Sequence, residues 1–327
     1  MKKLASKKLR WKMKNIRKNF RYLSSTEKQN YISAVKAVKA SISRTTDRSI
    51  YDEYVLWHTL ATAHEDPSDP RHFRNAAHVG PAFLPWHRYY LYRFERQLQK
   101  RVPGVTIPYW DWTQDADDPF NSPLWDDDFM GGNGDPEDNN LVKTGPFATD
   151  QWITINVDGN PKGGLQREFG KFSKGLPTRT NVQTAIEETP YDQEPWNIDS
   201  SPSHRNRLEG FLPPGGSINP DGSLIINPDG TLAVELHNQA HTWIGGDMSN
   251  VNISPNDPVF WLHHCNVDRL WAIWQEKNPS QGYLPTGDGP EGHNLYDLMY
   301  PWDGKTTRLK ARPVEVLNSR RLGIYYD

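Results

Sequence analysis

Leu236-His-Asn-Gln-Ala-His241 and Asn256-Asp-Pro-Val-Phe-Trp-Leu-His-His264-Cys-Asn-Val-Asp268 decide how this chain folds. Two histidines stand four apart in the first stretch. Residues at that spacing share one face of a helix, so His237 and His241 can grip one metal ion. The pattern is not that of a zinc protease, because Asn238 stands where a general-base glutamate would follow the first histidine. In the second stretch Asn256 or Asp257 can cap a helix, and Pro258 suits its first turn. That helix carries His264, Val267, Asp268, Trp271 and Trp274 along one side. His263 and His264 are candidates for a third ligand. Asp268, one turn after His264, can orient nearby histidines or anchor the helix.

A second triplet, His58, His78 and His87, lies in the first third of the chain. The apolar stripe Tyr51, Tyr54, Val55, His58 and Thr62 predicts a helix from about Asp47 to Glu65. His58 therefore faces inward, and taken alone it reads as a hydrogen-bonded core histidine. His78 follows a loop with Pro67, Pro70 and Asn75. A third helix is expected from Trp86 to about Arg101, with His87, Tyr90, Leu91, Phe94 and Leu98 inside.

All-imidazole sites suit copper, zinc, iron or nickel. The carboxylates of di-iron bundles are not paired with these histidines. One zinc held by three imidazoles would explain one triplet. Two triplets on separate pairs of helices fit two metals sharing a substrate better, and a metal-free core remains the plain alternative.

Ser24-Ser-Thr-Glu27 forms a capping box, and Tyr31, Ala34, Val35, Val38 and Ile42 recur behind it at helical spacing. Residues 103–230 are rich in Gly, Pro, Asp and Asn and read mostly as loops, with a short strand over Gln151–Ile155. Asn219-Pro-Asp-Gly and Asn227-Pro-Asp-Gly are turn sequences, which predict a hairpin excursion over 213–235. The fold class expected is mainly α: a helical bundle with ligands projecting inward, long irregular loops and a few short strands.

The single cysteine, Cys265, excludes an internal disulfide, a cysteine-rich zinc site and an iron–sulfur cluster. No 18-residue apolar run exists, so no membrane span is expected. Residues 1–22 are basic and lack the apolar core of a signal peptide; they read as a flexible, solvated arm rather than a nucleic-acid tail. The expected location is the cytoplasm by default, with secretion left open. One catalytic domain over 23–327 is expected.

At these residues the chain resembles the tyrosinases, the type-3 dicopper proteins, especially the short bacterial ones. Trp57-His58 carries part of the match, as do Asn75-Ala-Ala-His78, Ala82-Phe-Leu-Pro-Trp-His-Arg88 and Phe94-Glu95. Leu236 to Gly246, Asn256 to His264 and Val267-Asp-Arg-Leu-Trp271 carry the rest. The similarity runs from about residue 14 to the end. The resemblance implies a dicopper centre that uses O2, with copper A on His58, His78 and His87 and copper B on His237, His241 and His264. His263 is then a neighbour of the site and not a ligand. His64, His72, His204 and His293 match no ligand motif.

Family members hydroxylate monophenols to o-diphenols and oxidise these to o-quinones, the precursors of melanin. The resemblance implies phenol and catechol substrates such as L-tyrosine and L-DOPA, and it is compatible with a copper-delivery partner and with a monomer or a homodimer. Glu209 and Asn238 look like the pair that holds a base water in tyrosinases; Glu209 could instead cap or form a salt bridge. Val251 resembles a small apolar residue beside the substrate entrance. Thr242 stands where bacterial relatives often have arginine. The 213–235 hairpin is expected to border the mouth. Cys265 sits beside His264 and has no evident partner for a Cys–His thioether. No shielding domain follows Tyr326, so an open site is expected. The competing readings are a catechol or o-aminophenol oxidase without monophenolase activity, and an O2 carrier like hemocyanin.

Overall fold

The computed structural model describes residues 15–69, 73–212, 216–217, 219 and 225–327. The helical stripes fold as their spacing dictates, except that Ile42 falls beyond the end of the first helix and is exposed. Helix α1 (Ser25–Ala40) opens on the expected capping box: Ser24 Oγ accepts from the Glu27 N–H, and the Glu27 carboxylate accepts from the Ser24 N–H at 2.9 Å. It buries Tyr31, Ala34, Val35 and Val38. Helix α2 (Ile50–Ala63) is shorter than its pattern at both ends, because Ser49 caps it and His64 ends it. Helix α3 (Phe83–Arg101) begins three residues before the expected Trp86. Pro85 falls in its first turn, where a missing N–H breaks no helical hydrogen bond.

The stretch expected to be mostly loop holds two helices that local sequence did not reveal, α4 (Arg179–Glu187) and α5 (His204–Glu209). Helices α6 (Leu236–Ile244) and α7 (Val259–Lys277) carry the second histidine triplet, and α8 (Pro313–Val316) is a single turn. Helix α3 packs on α1 and α7, and α6 lies across α7. The result is the mainly helical bundle expected, with its core along α2, α3 and α7. Among the described residues no helix is long and apolar enough to cross a membrane.

Strands are short and paired in twos. β1 (Asn15–Arg17) runs parallel to β6 (Ile324–Tyr326); β2 (Gly134–Asp135) pairs with β3 (Leu141–Val142), and β4 (Ile153–Ile155) with β5 (Pro161–Gly164). The strand expected at 151–155 is thus present in its last three residues. In the 213–235 hairpin the second turn forms, with Ile226 bridged to Leu232 and the Gly230 N–H on the Asn227 carbonyl. Most of the first turn lies outside the described residues.

The basic arm expected over 1–22 needs correction. Residues 1–14 lie outside the described residues, but Asn15–Tyr22 belong to the fold. Arg17 is fully buried. Its guanidinium grips Glu95 of α3 through two bonds of 3.0 and 3.2 Å and reaches Asp268 of α7 at 3.1 Å. Asp268 also accepts from Arg88 and from the Tyr326 hydroxyl. One buried carboxylate therefore ties both ends of the described chain to the two longest helices. Burying these charges is tolerable only because each is paired. Of the two roles open to Asp268 from sequence, the structure shows the anchor; among the described contacts it touches no histidine.

His204 and His293 are buried and hydrogen-bonded within the fold. His204 stacks on Trp274 at 4.5 Å and its Nδ1 donates to the Ala185 carbonyl, while His293 Nδ1 accepts from the Ala82 N–H. Burial lowers both to a pKa of about 3. His64 is exposed and stacks on Tyr300; His72 lies outside the described residues. The fold accepts His204 and His293 only as neutral rings, whereas the unfolded chain protonates them near pH 6.5. Their contribution is therefore complete above pH 6.5 and is lost as the pH falls toward 3. Urea titrations at pH 6 and pH 4 should show a loss of about 2–3 kcal/mol for each ring. A midpoint unchanged over that interval would contradict their neutral burial.

Candidate metal centre

Four helices and one loop bring the six histidines together. His58 projects from α2, His87 from α3, His237 and His241 from α6, and His264 from α7. His78 comes from the loop before α3. Candidate ligand atoms of His58, His78 and His87 lie within 4.8 Å of one another, and so do those of His237, His241, His263 and His264. The two groups abut, for the His87 and His264 rings stack at 4.3 Å. Phe83 packs on His87 and His237, both at 4.9 Å, and Phe260 packs on His264 at 4.1 Å and His58 at 5.3 Å. Both phenylalanines stand in motifs quoted from the sequence, but their role as packing around the centre was not legible there.

Geometry fixes which nitrogens face inward. His237 Nδ1 donates to the Asn238 side-chain oxygen at 2.9 Å, and His241 Nδ1 to the Met248 carbonyl at 2.7 Å. Their Nε2 atoms then lie 3.3 and 3.2 Å from His264 Nε2. Nitrogens on one metal at bonds of about 2.0 Å and near-tetrahedral angles are about 3.2 Å apart. His87 follows the same rule, with Nδ1 on the Phe83 carbonyl at 2.9 Å and a buried Nε2 that has no hydrogen-bond partner. A bare lone pair in a dry aromatic pocket calls for an explanation, and a metal ion supplies one.

His263 differs. The Trp112 indole donates to its Nδ1 at 3.1 Å. An indole can only donate, so the neutral His263 ring carries its proton on Nε2 and presents no free lone pair there. Burial holds every one of these imidazoles below its ordinary pKa, His58 at about 3 and His241 at about 4. They are neutral, as metal ligation requires.

Backbone strain marks the loop before α3. Val79, next to His78, has φ +61°, and Leu236, next to His237, has φ +44°. A β-branched residue in the left-handed region is a genuine outlier that its surroundings must hold. Glu209 does so for Val79, accepting its N–H at 2.6 Å. The other carboxylate oxygen accepts from Arg205 at 3.0 Å. Burial raises Glu209 to a pKa of about 7, against the pull of Arg205 and of the Val79 N–H. The Gly245-Gly246 turn ends α6 with φ +68° and +52°; a Cβ at Gly246 would meet the Gln166 carbonyl at 2.1 Å. Only glycine fits that approach, which places Met248 beside His241.

A cavity of about 310 Å³ reaches His78, His237 and His241. Glu209, Asn238, Thr242 and Val251 all line it, so each residue singled out from sequence for water, substrate or entrance lies at one opening. Val234 of the hairpin is in its wall. Phe73, Val79, Phe211 and Met248 complete an apolar lining that sequence reasoning missed. Arg205 was missed as well; its spacing of four from Glu209 becomes a signal only once α5 is known to be a helix. Cys265 faces the other way, with Sγ on the Ile107 carbonyl, and burial raises its thiol pKa. A larger cleft of about 580 Å³ is lined by His64, Glu65, Asp66 and Asp297 and includes none of the six clustered imidazoles.

Fold and site together define a helical protein with two adjacent groups of inward-facing imidazoles, each able to hold a metal ion. Residues 48–277 match the family model described as the common central domain of tyrosinase. The chain belongs to the tyrosinase family. It is 39% identical over 291 residues to a tyrosinase of Streptomyces glaucescens, covering 88% of this chain and 92% of that one. It is 37% identical over 340 residues to grixazone synthase of Streptomyces griseus, covering 96% and 99%. A polyphenol oxidase structure from Thermothelomyces thermophila superimposes with a TM-score of 0.68 at 25% identity, over 95% of this chain and 88% of that one. A functional unit of octopus hemocyanin shares the fold, with a TM-score of 0.58 at 20% identity. The protein is a copper-dependent phenol oxidase that uses two copper ions and O2.

Proposed function

We propose that His58, His78 and His87 hold one copper and His237, His241 and His264 the other, and that the enzyme both hydroxylates monophenols and oxidises o-diphenols. Bound copper supplies O2 binding and the redox chemistry. The chain supplies the rest. The apolar walls around Phe73, Val79 and Phe211 take an aromatic ring and shed its water. Hydrogen bonds from Nδ1 to the Phe83 carbonyl, the Asn238 side chain and the Met248 carbonyl hold the His87, His237 and His241 rings with Nε2 facing inward.

The observation that carries monophenolase activity is the placement of Glu209 and Asn238 in the wall of one cavity. A phenol has a pKa near 10 and arrives protonated. Asn238 gives its side-chain oxygen to His237, which leaves its amide N–H groups free to hold a water against the Glu209 carboxylate. That water takes the phenolic proton and passes it toward Glu209. One observation favours the narrower reading of a catechol or o-aminophenol oxidase: both Glu209 oxygens already accept hydrogen bonds, from Val79 and Arg205.

Steady-state rates on L-tyrosine and L-DOPA separate the two. Glu209→Gln and Asn238→Ala should each lower kcat/KM on L-tyrosine about 10²-fold and change the L-DOPA value far less. Equal losses on both substrates would reduce Glu209 to a support for the Val79 turn. If deleting the hairpin leaves the ratio of the two rates unchanged, the hairpin plays no part in substrate choice.

A further inference from the structure

The ligand cluster touches an aromatic file that leads outward. Trp86 packs edge-on against His87 at 4.9 Å. It lies 4.7 Å from Trp302, which lies 4.7 Å from Tyr89. These separations are those of rings in direct contact. Trp86 and Trp302 are fully buried, whereas Tyr89 is half-buried, at the surface of α3.

We propose that Trp86, Trp302 and Tyr89 form an electron relay that carries oxidising equivalents from the metal pair to the protein surface when no phenol is bound. The inference rests on His87 as a copper ligand. Electron tunnelling weakens steeply with distance, so a file of touching, oxidisable rings outcompetes longer jumps through aliphatic core.

The proton inventory favours this branch over the inner one through Tyr90. The Trp86 N–H donates to the Tyr300 carbonyl at 2.8 Å, and the Trp302 N–H is buried without a partner. Neither indole N–H is hydrogen-bonded to a base, so each passes an electron and keeps its proton. Tyr89 ends the file where water can take the phenolic proton that oxidation releases. Tyr90 also touches Trp86, at 4.8 Å, but it is fully buried and its hydroxyl donates to the Tyr54 carbonyl. An amide carbonyl cannot carry a proton away, so that inner branch has no exit.

The steps balance. Trp86 would give one electron to the oxidised copper pair when copper is bound, Trp302 would refill Trp86, and Tyr89 would refill Trp302. Tyr89 gives its proton to water and becomes a phenoxyl radical. A thiol or ascorbate in the medium then returns one electron and one proton to the Tyr89 oxygen. The net change is one electron moved from that reductant to the copper pair and one proton from the reductant to water. The relay spares His58, His87 and their neighbours from oxidation during turnover without substrate.

The test uses the copper-loaded chain with hydrogen peroxide and no phenol. Radicals are read by freeze-quench electron paramagnetic resonance and oxidised residues by peptide mass spectrometry. The wild type should show a tyrosyl signal with modification at Tyr89 and Trp302, both suppressed by glutathione. In Tyr89→Phe the tyrosyl signal should vanish, modification should move inward to Trp302 and Trp86, and inactivation should be several-fold faster. Trp302→Phe should confine damage to Trp86 and the ligand histidines. Tyr89→Phe removes a single hydroxyl from a half-buried side chain, so the test survives even if Trp302→Phe does not fold. An unchanged radical and damage map in Tyr89→Phe overturns the relay. So does damage spread over exposed Tyr22 and Tyr296 in wild type and variant alike, the pattern of freely diffusing radicals. A wild-type chain that binds no copper overturns the ligand assignment and the relay with it; copper bound without these signatures overturns the relay alone.

Discussion

Replacing His264 with alanine should lower the copper content from two ions per chain toward one and abolish oxidation of L-DOPA. His264 Nε2 sits 3.2–3.3 Å from the Nε2 atoms of both His237 and His241. Without it only His237 and His241 remain on that side with a lone pair free for the metal, too few for the three protein ligands that a catalytic site of this kind uses. Metal analysis by atomic absorption, beside O2 uptake, checks both parts. The informative control is His263→Ala. His263 lies in the same cluster of imidazoles, but Trp112 holds it in the tautomer that lacks a free Nε2 lone pair. That variant should keep two coppers although it is less stable. Copper lost equally from both variants would mean that the tautomer argument is wrong.

Removing the Asp268 carboxylate is the second large effect. In Asp268→Ala the buried Arg88 loses its only carboxylate partner among the described residues and keeps the Gln275 side chain and the Val316, Leu317 and Asp268 backbone carbonyls. Arg17 keeps Glu95 but loses its bond to α7. Breaking a buried ion pair from one side costs about 3–5 kcal/mol, since a charge is left uncompensated. The urea midpoint should fall accordingly. The site should suffer too, because Arg88 follows His87 on α3 and Asp268 stands one turn beyond His264 on α7. Their ion pair therefore sets the spacing of two helices whose histidine rings touch at 4.3 Å. A variant with an unshifted midpoint would show that the cluster is not what joins those helices.

Much of this was legible because it is periodic or local. The capping box at Ser24, the stripes of α1, α2 and α3, and the His237/His241 pair follow from spacing within a few residues. The start of α7 was only nearly legible: Pro258 occupies the capping position instead of the first turn, and Asp257 accepts the Val259 N–H from outside the helix instead of capping it. What failed to show was long-range. Arg17 reads as one basic residue among many, and nothing local reveals partners at positions 95, 268 and 326. Helices α4 and α5 are short and lie among prolines and glycines, and tertiary packing on α7 and α6 supports them. The strained Val79 turn is invisible in sequence as well, for its conformation is imposed by Glu209 from 130 positions away.

A crystal of the copper-loaded chain, with anomalous scattering recorded at the copper edge, addresses the central claim most directly. The account predicts two adjacent peaks, one bound by His58, His78 and His87 and the other by His237, His241 and His264, with His263 on neither. One peak alone, or a peak bound by His263, would contradict it.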